Sequence, residues 1–277
     1  MIRDYFAPPP ARRDWAYFLD VDGTLVELAP TPDAIRIDPA LPALLTALHQ
    51  ATAGAVALVS GRALSDLDRR LGLPALPKAG QHGLERRDAS GRLWIHAAQP
   101  RTKQLIREAL APVLERHDGL LLEDKGLTLA LHYRQVPELA AYLLDLLRRL
   151  VADSGENLLV QEGKCVVEVK PAGVDKGTAI AEYLAERPFL GRQPVFVGDD
   201  KNDEHGFAAV NACGGISIGV GAGDFTARYR LADVAAVRAW LARALDINPA
   251  SQNPAPFGLS SSKPLVHRPS TGSGRTG

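Results

Sequence analysis

The stretch AYFLDVDGTL, residues 16–25, decides how the rest of the chain is interpreted. It begins with four apolar residues, as a buried strand does, and then changes abruptly to acidic residues and a glycine. Asp20 and Asp22 are two positions apart, so on an extended chain their side chains point to the same side. Gly23 can adopt backbone angles that turn the chain sharply after them. The stretch predicts a strand ending in two carboxylates that suit a nucleophile and a general acid/base.

Two further apolar runs end in polar residues in the same way. Residues 55–59 are followed by Ser60, Gly61 and Arg62, and residues 194–197 are followed by GDDKND at 198–203. Segments of helical period separate these runs, and this alternation is typical of a doubly wound parallel sheet. The predicted fold class is therefore α/β.

The middle of the chain has a different pattern. Residues 102–116 and 137–153 have the apolar spacing of helices, whereas residues 127–133, 157–161 and 165–170 resemble strands. Helices and paired strands so close together indicate a small α+β unit inserted into the larger fold.

The domain organisation follows from this change of pattern. We predict a discontinuous core formed by residues 1–98 and 172–247, with an α+β cap domain at 99–171. Pro, Ser and Gly make up 15 of the 30 residues in segment 248–277, so a mobile tail is expected there.

Composition excludes several classes of protein. The 277 residues carry a formal net charge of zero, with 46% hydrophobic and 23% charged residues, which is ordinary for a soluble globular protein. The neutral charge argues against nucleic acid as the main partner, because binding a phosphate backbone needs a basic surplus, and it leaves local basic clefts open. Cys165 and Cys213 lie far apart without metal-ligand spacing, and two such cysteines do not indicate a disulfide framework. With neither a membrane-spanning run nor a secretory signal in the sequence, we expect a reduced, cytoplasmic protein.

The polar strand ends predict a ligand site. In an open parallel sheet, ligands bind beyond the carboxyl ends of the strands. That rule gathers six side chains in one crevice: Asp20, Asp22, Ser60, Asp199, Asp200 and Asp203. Converging carboxylates repel one another, and a hard divalent cation relieves the repulsion, with oxygen ligands favouring Mg²⁺ over zinc. The alternative is that each acidic cluster only decorates a loop or caps a helix.

Four motifs in order resemble those of the haloacid dehalogenase-like phosphatases. They are DVDGTL at 20–25, SGR at 60–62, Lys176 within VDKG, and GDDKND at 198–203. The resemblance implies a Rossmann-like hydrolase core with an inserted cap. It also implies that Asp20 attacks phosphorus and becomes an aspartyl-phosphate, while Asp22 protonates the leaving alcohol and then activates water.

The same resemblance implies the remaining core roles. Ser60 and Lys176 hold phosphoryl oxygens, and Lys176 also balances the charge of Asp20. Mg²⁺ is bound by Asp20, the main-chain carbonyl of Asp22, and Asp199. Asp200 and Asp203 complete the implied metal site, with Asp203 farther from the ion.

The inserted segment resembles that of trehalose-6-phosphate phosphatases. Its motifs are EDKG at 123–126, HYR at 132–134, EGK at 162–164 and EVKP at 168–171, and the core adds GQHGLERR at 80–87. The likeness spans about residues 15 to 245, and Asn202 stands where that family commonly has threonine. It implies a trehalose-phosphatase, a phosphoric monoester hydrolase of trehalose biosynthesis. The implied substrate-binding residues are Gly61, Arg62, Gln81, His82, Glu123, Lys125, His132, Arg134, Glu162 and Lys164.

Some of these residues also fit plainer roles. Lys125 and Lys164 also suit solvated turns, and Arg62 could simply end its strand. His132 and Arg134 could have no role beyond pairing with Glu168. At the level of function, the alternatives are a related sugar phosphatase, such as one acting on mannosyl-3-phosphoglycerate, and a receiver-type phospho-acceptor domain. The expected partner is a small molecule, trehalose 6-phosphate. We expect a monomer without nucleic-acid or membrane partners.

Overall fold

Strand β1 (Trp15–Leu19) lies inside an eight-stranded sheet, and all five of its residues are buried. The structure is a computed structural model that describes residues 6–96 and 101–245. β1 pairs in parallel with β2 (Val56–Val59) on one side and with β10 (Gln193–Gly198) on the other. Burial on both faces explains why the strand is apolar throughout and does not alternate.

The other strands extend this large sheet in both directions. They are β3 (Lys78–Gly80), β4 (Glu85–Arg87), β5 (Leu93–Ile95), β11 (Ile216–Val220) and β12 (Tyr229–Leu231). The order across the sheet is β12-β11-β10-β1-β2-β3-β4-β5, parallel from β12 to β3 and antiparallel at β4 and β5.

Helices cover both faces of the large sheet. Those on one face are α1 (Ala40–Ala51), α2 (Leu64–Leu71) and α7 (Val234–Ala242). Those on the other are α5 (Lys176–Leu184) and α6 (Glu204–Ala212). Within β1, Tyr17 and Leu19 pack into the first layer and Phe18 into the second. This arrangement confirms the predicted doubly wound α/β fold.

Four antiparallel strands form a second, small sheet. They are β6 (Leu121–Asp124), β7 (Leu129–His132), β8 (Leu158–Gly163) and β9 (Val166–Pro171), in the order β6-β7-β9-β8. Helices α3 (Lys103–Leu114) and α4 (Ala140–Ser154) share a separate apolar core with one face of this sheet. In β9 the residues of that core are Val167 and Val169, so Glu168 between them lies on the opposite face.

Sequence patterns missed five elements: β3, β4, β6, β12 and α6. The four strands have three or four residues each and all contain charged residues, so none stands out as an apolar run, whereas the equally short β2 and β5 are apolar throughout. The predicted tail at 248–277 and the boundary between residues 98 and 99 lie outside the described residues. Among the helices that the structure describes, none is both long and apolar enough to cross a membrane.

Candidate active site

The loop after β1 brings Asp20 and Asp22 to the carboxyl edge of the large sheet. Gly23 makes the turn with a φ of +83°, a conformation that side-chain residues rarely adopt. Space is equally restrictive, because a Cβ atom on Gly23 would lie 2.1 Å from Oδ2 of Asp199. Glycine therefore lets the β1 loop approach the carboxylate that follows β10.

Lys176 lies between two carboxylates at the start of α5. Its Nζ donates to Oδ1 of Asp20 at 2.8 Å and to Oδ1 of Asp203 at 2.6 Å. Asp175 caps the helix, since its side chain accepts from the backbone N–H of Thr178, and this cap fixes the first turn that carries Lys176. Although burial opposes the charge, the two carboxylates raise the pKa of Lys176 above its ordinary value. The side chain is therefore a buried cation beside Asp20.

Three carboxylates form a tight, buried cluster. One oxygen from each of Asp20, Asp199 and Asp203 lies within 4.8 Å of the others. Burial and the carboxylate of Asp203 raise the pKa of Asp199 to about 7, and burial also raises the pKa of Asp20 well above its ordinary value. Both effects come from burial of negative charges that the two neighbouring lysines, Lys176 at Asp20 and Lys164 at Asp199, do not fully balance.

The cluster fits a hard divalent cation. Oδ1 of Asp199 is buried and has no hydrogen-bond partner among the described residues, although nearly all buried polar atoms have one. The metal-ligand atoms that the cluster offers are all carboxylate oxygens, which Mg²⁺ prefers. Asp203 is committed elsewhere, because its oxygens accept from Lys176 and from the backbone N–H groups of Asp199 and Asp200. Asp20 and Asp199 are therefore the side chains available to a metal.

The structure places Asp200 differently from Asp199. Its Oδ1 accepts from the backbone N–H of Lys201 at 2.6 Å, and its Oδ2 accepts from the backbone N–H of Lys164 at 3.2 Å. Both oxygens are therefore engaged with backbone donors. Direct binding of a metal by Asp200 stays a prediction.

Arg62 holds Asp22 in a fixed orientation. Its Nε and Nη2 contact the two oxygens of Asp22 at 2.6 and 2.8 Å, and its Nη1 contacts Asp66 at 2.6 Å. Two parallel contacts between a guanidinium and a carboxylate define its plane as well as its position. Ser60 lies nearby, buried, and its Oγ accepts from the backbone N–H of Arg62.

A cavity lies between this edge and the small sheet. From the large sheet and its loops, the predicted residues that line it are Asp20, Asp22, Ser60, Gly61, Arg62, His82, Lys176, Asp199 and Asp200. From the small sheet and its turns, they are Glu123, Lys125, His132, Arg134 and Lys164.

The polar groups of the small sheet are paired with one another or with the core. His132 Nε2 lies 2.9 Å from Glu123, and Lys125 Nζ donates to the carbonyl of Gly61 at 3.0 Å. Lys164 Nζ lies 3.2 Å from Oδ2 of Asp199, and its carbonyl accepts from Arg134. Lys125 and Lys164 therefore contact the core and do not simply lie in solvent.

Pairing of His132 and Arg134 with Glu168 is not observed. Glu168 is opposite Ala130 in the sheet, whereas His132 is opposite Val166, and the nearer carboxylate is that of Glu123. Glu168 instead contacts His82 at 2.8 Å and accepts from Thr128 at 2.6 Å. Although burial opposes ionisation, Lys125 and His82 lower the pKa of Glu168 well below its ordinary value.

The structure does not bring Glu162 or Gln81 to the cavity. Glu162 is opposite Val167, so it shares the helix-covered face of the small sheet, and its carboxylate pairs with the exposed Arg148. Gln81 is buried, and its amide group is hydrogen-bonded to Glu85 and to backbone N–H groups of the small sheet. Asp203 likewise lies beneath the cavity and does not line it.

Several lining residues were not predicted as substrate-binding residues. Glu168 and Asn202 line the cavity, as does the loop that follows β1, from Leu28 to Pro32. Glu168 could have been found, because it lies one residue from an apolar position on a strand and so faces away from the apolar core. The loop carries no comparable signal.

Comparisons with known proteins agree on one family. The family model described as trehalose-phosphatase matches residues 18–235. The chain is 42% identical to the trehalose-6-phosphate phosphatase of Escherichia coli over 233 residues, covering 84% of this chain and 87% of that protein. It is 43% identical to a "Probable trehalose-phosphate phosphatase" of Sinorhizobium fredii over 209 residues, covering 75% and 78%.

A solved structure shows the same fold. The C-terminal domain of the Candida albicans trehalose-6-phosphate phosphatase superimposes with a TM-score of 0.76 at 20% identity, covering 83% of this chain and 92% of that domain. Because the identity is low, this likeness supports the fold alone.

Proposed function

The chain belongs to the trehalose-phosphatase family, and on that premise we propose that it hydrolyses trehalose 6-phosphate to trehalose and phosphate. The observation that carries this proposal is Asp20, buried against Lys176 and Asp199 at the base of a cavity whose other wall bears polar groups. A nucleophilic carboxylate beside a fixed cation suits phosphoryl transfer, which depends mainly on positioning and charge balance.

In the proposed first step, a carboxylate oxygen of Asp20 attacks phosphorus and the bond from phosphorus to the sugar oxygen breaks. Asp22 donates its proton to the departing oxygen, so trehalose leaves as a neutral alcohol. Lys176 keeps a positive charge beside Asp20, and Ser60 lies where it can hold a phosphoryl oxygen. Asp20 and Asp22 reach the cavity from the loop after β1, Ser60 from the end of β2 and Lys176 from the start of α5.

In the second step, Asp22 accepts a proton from a water molecule that attacks the aspartyl-phosphate. The bond between Asp20 and phosphorus breaks, phosphate leaves, and both carboxylates return to their starting state. Arg62 serves this step by holding Asp22 in a defined plane.

Phosphatases of the haloacid dehalogenase-like type generally use Mg²⁺, and we propose the same for this chain. Asp20, Asp199 and the main-chain carbonyl of Asp22 would hold the ion. When bound, Mg²⁺ supplies positive charge that offsets the carboxylates and the substrate phosphate. The unpartnered, buried Oδ1 of Asp199 supports this assignment.

We also propose that residues 99–171 act as the cap that selects the sugar, and that residues 1–98 and 172–247 form the catalytic core. The separate apolar core of the small sheet supports this division. Glu123 and Glu168 face the cavity and suit neutral hydroxyls. An additional substrate carboxylate, as in mannosyl-3-phosphoglycerate, would be repelled by these two glutamates, but Lys125, Arg134 and Lys164 line the same cavity, so charge alone does not separate the two substrates. The neutral net charge supports a small-molecule partner, and a cytoplasmic monomer remains our expectation.

The test is phosphate release with Mg²⁺ from trehalose 6-phosphate, glucose 6-phosphate, sucrose 6-phosphate and mannosyl-3-phosphoglycerate. We expect kcat/KM for trehalose 6-phosphate to exceed the others by about a hundredfold, or roughly 2.7 kcal/mol. Equal kcat/KM values for the four esters would refute trehalose 6-phosphate as the preferred substrate but would not refute the catalytic roles of Asp20 and Asp22. Release from none of the esters would refute the enzymatic proposal.

A further inference from the structure

Gln81 joins the two sheets through its side chain. Its Oε1 accepts from the backbone N–H groups of Leu127 and Thr128, both at 3.1 Å, in the turn between β6 and β7. Its Nε2 donates to Glu85 at 2.9 Å. Gln81 as a whole residue is only 2% exposed, so these bonds form away from water and have no ready substitute.

Gln81 and His82 form a short turn after β3, and the backbone of this Gln81–His82 turn is hydrogen-bonded to the loop that follows β2. The N–H of Gln81 donates to the carbonyl of Arg62 at 2.8 Å, and the N–H of His82 donates to the carbonyl of Ser60 at 2.9 Å. One short turn therefore contacts the small sheet through side chains and the Ser60–Arg62 segment through backbone. A second link reaches that segment directly, from Lys125 to the carbonyl of Gly61.

The conformation of the turn is unusual. Gln81 and His82 have φ values of +47° and +58°, a left-handed region that side-chain residues seldom occupy. Strain of this kind persists where surrounding contacts impose it, and it is concentrated at functional sites. Here the imposing contacts include the bond of His82 Nε2 with Glu168 and the close packing of Gly83 on the carbonyl of Asp175, just before Lys176.

We propose that Gln81 is a positioning residue: through it, docking of the small sheet on the core fixes the position of the Ser60–Arg62 segment. When the β6–β7 turn is docked, the side chain of Gln81 is held by Leu127 and Thr128. The backbone N–H groups of Gln81 and His82 then keep Ser60 and Arg62 in place. Ser60 then faces the phosphoryl group and Arg62 orients Asp22. The role within catalysis rests on the proposed phosphatase function, whereas the mechanical link rests on the contacts alone.

The test uses the full chain and three variants. Gln81→Ala removes the acceptor. The double variant Gln81→Glu/Glu85→Gln exchanges donor and acceptor at unchanged net charge, so residue 81 can again accept from Leu127 and Thr128 and bond to residue 85, whereas the backbone N–H of Leu64 loses the acceptor that Glu85 supplies. Gln104→Ala is the control, because Gln104 makes the same type of bond to a glutamate four residues later, on an exposed helix surface.

The first measurement is amide hydrogen exchange at Leu127 and Thr128, which needs no activity. We expect Gln81→Ala to accelerate exchange at both amides by about tenfold, with the double variant and Gln104→Ala close to the original chain. Unchanged exchange in Gln81→Ala would overturn the link. This result is independent of which ester the enzyme hydrolyses.

The second measurement compares kcat and KM for trehalose 6-phosphate and for p-nitrophenyl phosphate, which lacks the sugar. We expect Gln81→Ala to lower kcat for both esters by a similar factor of about ten, with KM changed much less, because the segment acts on the phosphoryl group they share. The double variant should recover kcat in part, because the Leu64 N–H still lacks its acceptor. Loss confined to trehalose 6-phosphate would make Gln81 a sugar contact, and loss of thermal stability without loss of kcat would make it purely structural. Either outcome overturns the proposal.

Discussion

Replacing Asp199 with asparagine should stabilise the metal-free protein at alkaline pH while abolishing its response to Mg²⁺. Asp199 lies within 4.8 Å of two other carboxylates, and one of its own oxygens is buried without a hydrogen-bond partner among the described residues. Asparagine removes the charge and keeps the size. The expectation is unusual, because most substitutions of buried polar residues destabilise a protein.

The magnitude follows from the pKa of Asp199. Burial and Asp203 raise this pKa from 3.8 to about 7. A shift of about three units at roughly 1.4 kcal/mol per unit gives an upper value of about 4 kcal/mol, and we expect a gain of about 2 to 4 kcal/mol at pH 8.

The pH dependence has a definite sign. The folded chain holds the proton of Asp199 more tightly than the unfolded chain does, so stability from this group is fully present below pH 3.8. That contribution is lost as the pH rises through about 7. The advantage of Asp199→Asn should therefore be largest at pH 8 and should shrink as the pH falls towards 4.

The assay is urea unfolding in the presence of EDTA, from pH 4 to pH 8, with the midpoint and slope compared between variants. Asp203→Asn is the matched control, because Asp203 accepts from Lys176 and from two backbone N–H groups and should lose stability on the same chemical change. In a parallel series without EDTA, added Mg²⁺ should stabilise the original chain and leave Asp199→Asn unaffected. A metal-free Asp199→Asn protein that is less stable than the original at pH 8 would refute the reasoning.

Three other predictions test the site, the second with a matched control variant. Asp20→Asn should reduce phosphate release by at least about a thousandfold because the nucleophile is lost; a folded variant that retains substantial kcat would contradict this role. Glu123→Ala should lower kcat/KM for trehalose 6-phosphate more than kcat/KM for p-nitrophenyl phosphate, whereas Glu162→Ala, the control, should change neither value. Equal losses on both esters for Glu123→Ala would exclude a role in sugar selection. Gly23→Ala should destabilise the fold by about 2 kcal/mol or more and raise the Mg²⁺ concentration needed for activity, because its Cβ would meet Asp199 at a positive φ; normal Mg²⁺ dependence would show that the β1 loop can move aside.

The core of the site could be predicted because its residues follow strands. Asp20, Ser60 and Asp199 each come directly after an apolar run, and parallel strands bring such residues to one edge of the sheet whatever the remaining sequence is. The same logic gave the fold class. The short strands β3, β4, β6 and β12 escaped prediction because each contains charged residues and so forms no apolar run, unlike the equally short β2 and β5.

The cap residues were harder to predict, as two glutamates show. Glu162 and Glu168 are both polar residues on strands of the small sheet, and both belong to motifs that resemble the family. Their register decides the outcome, since Glu162 lies opposite Val167 on the helix-covered face whereas Glu168 lies opposite Ala130 on the cavity face. A change of one residue in register exchanges the two faces of a strand.

By itself, the sequence determined the local requirements: apolar strands, carboxylates at their ends, glycine in the turn after Asp22, and a helix start that carries Lys176. These follow from backbone geometry over a few residues. Only the tertiary structure decided which oxygens stay unpaired, that Glu168 contacts His82, and that Gln81 joins the two sheets. Those outcomes depend on contacts between segments dozens of residues apart, because burial and charge balance are properties of the assembled site.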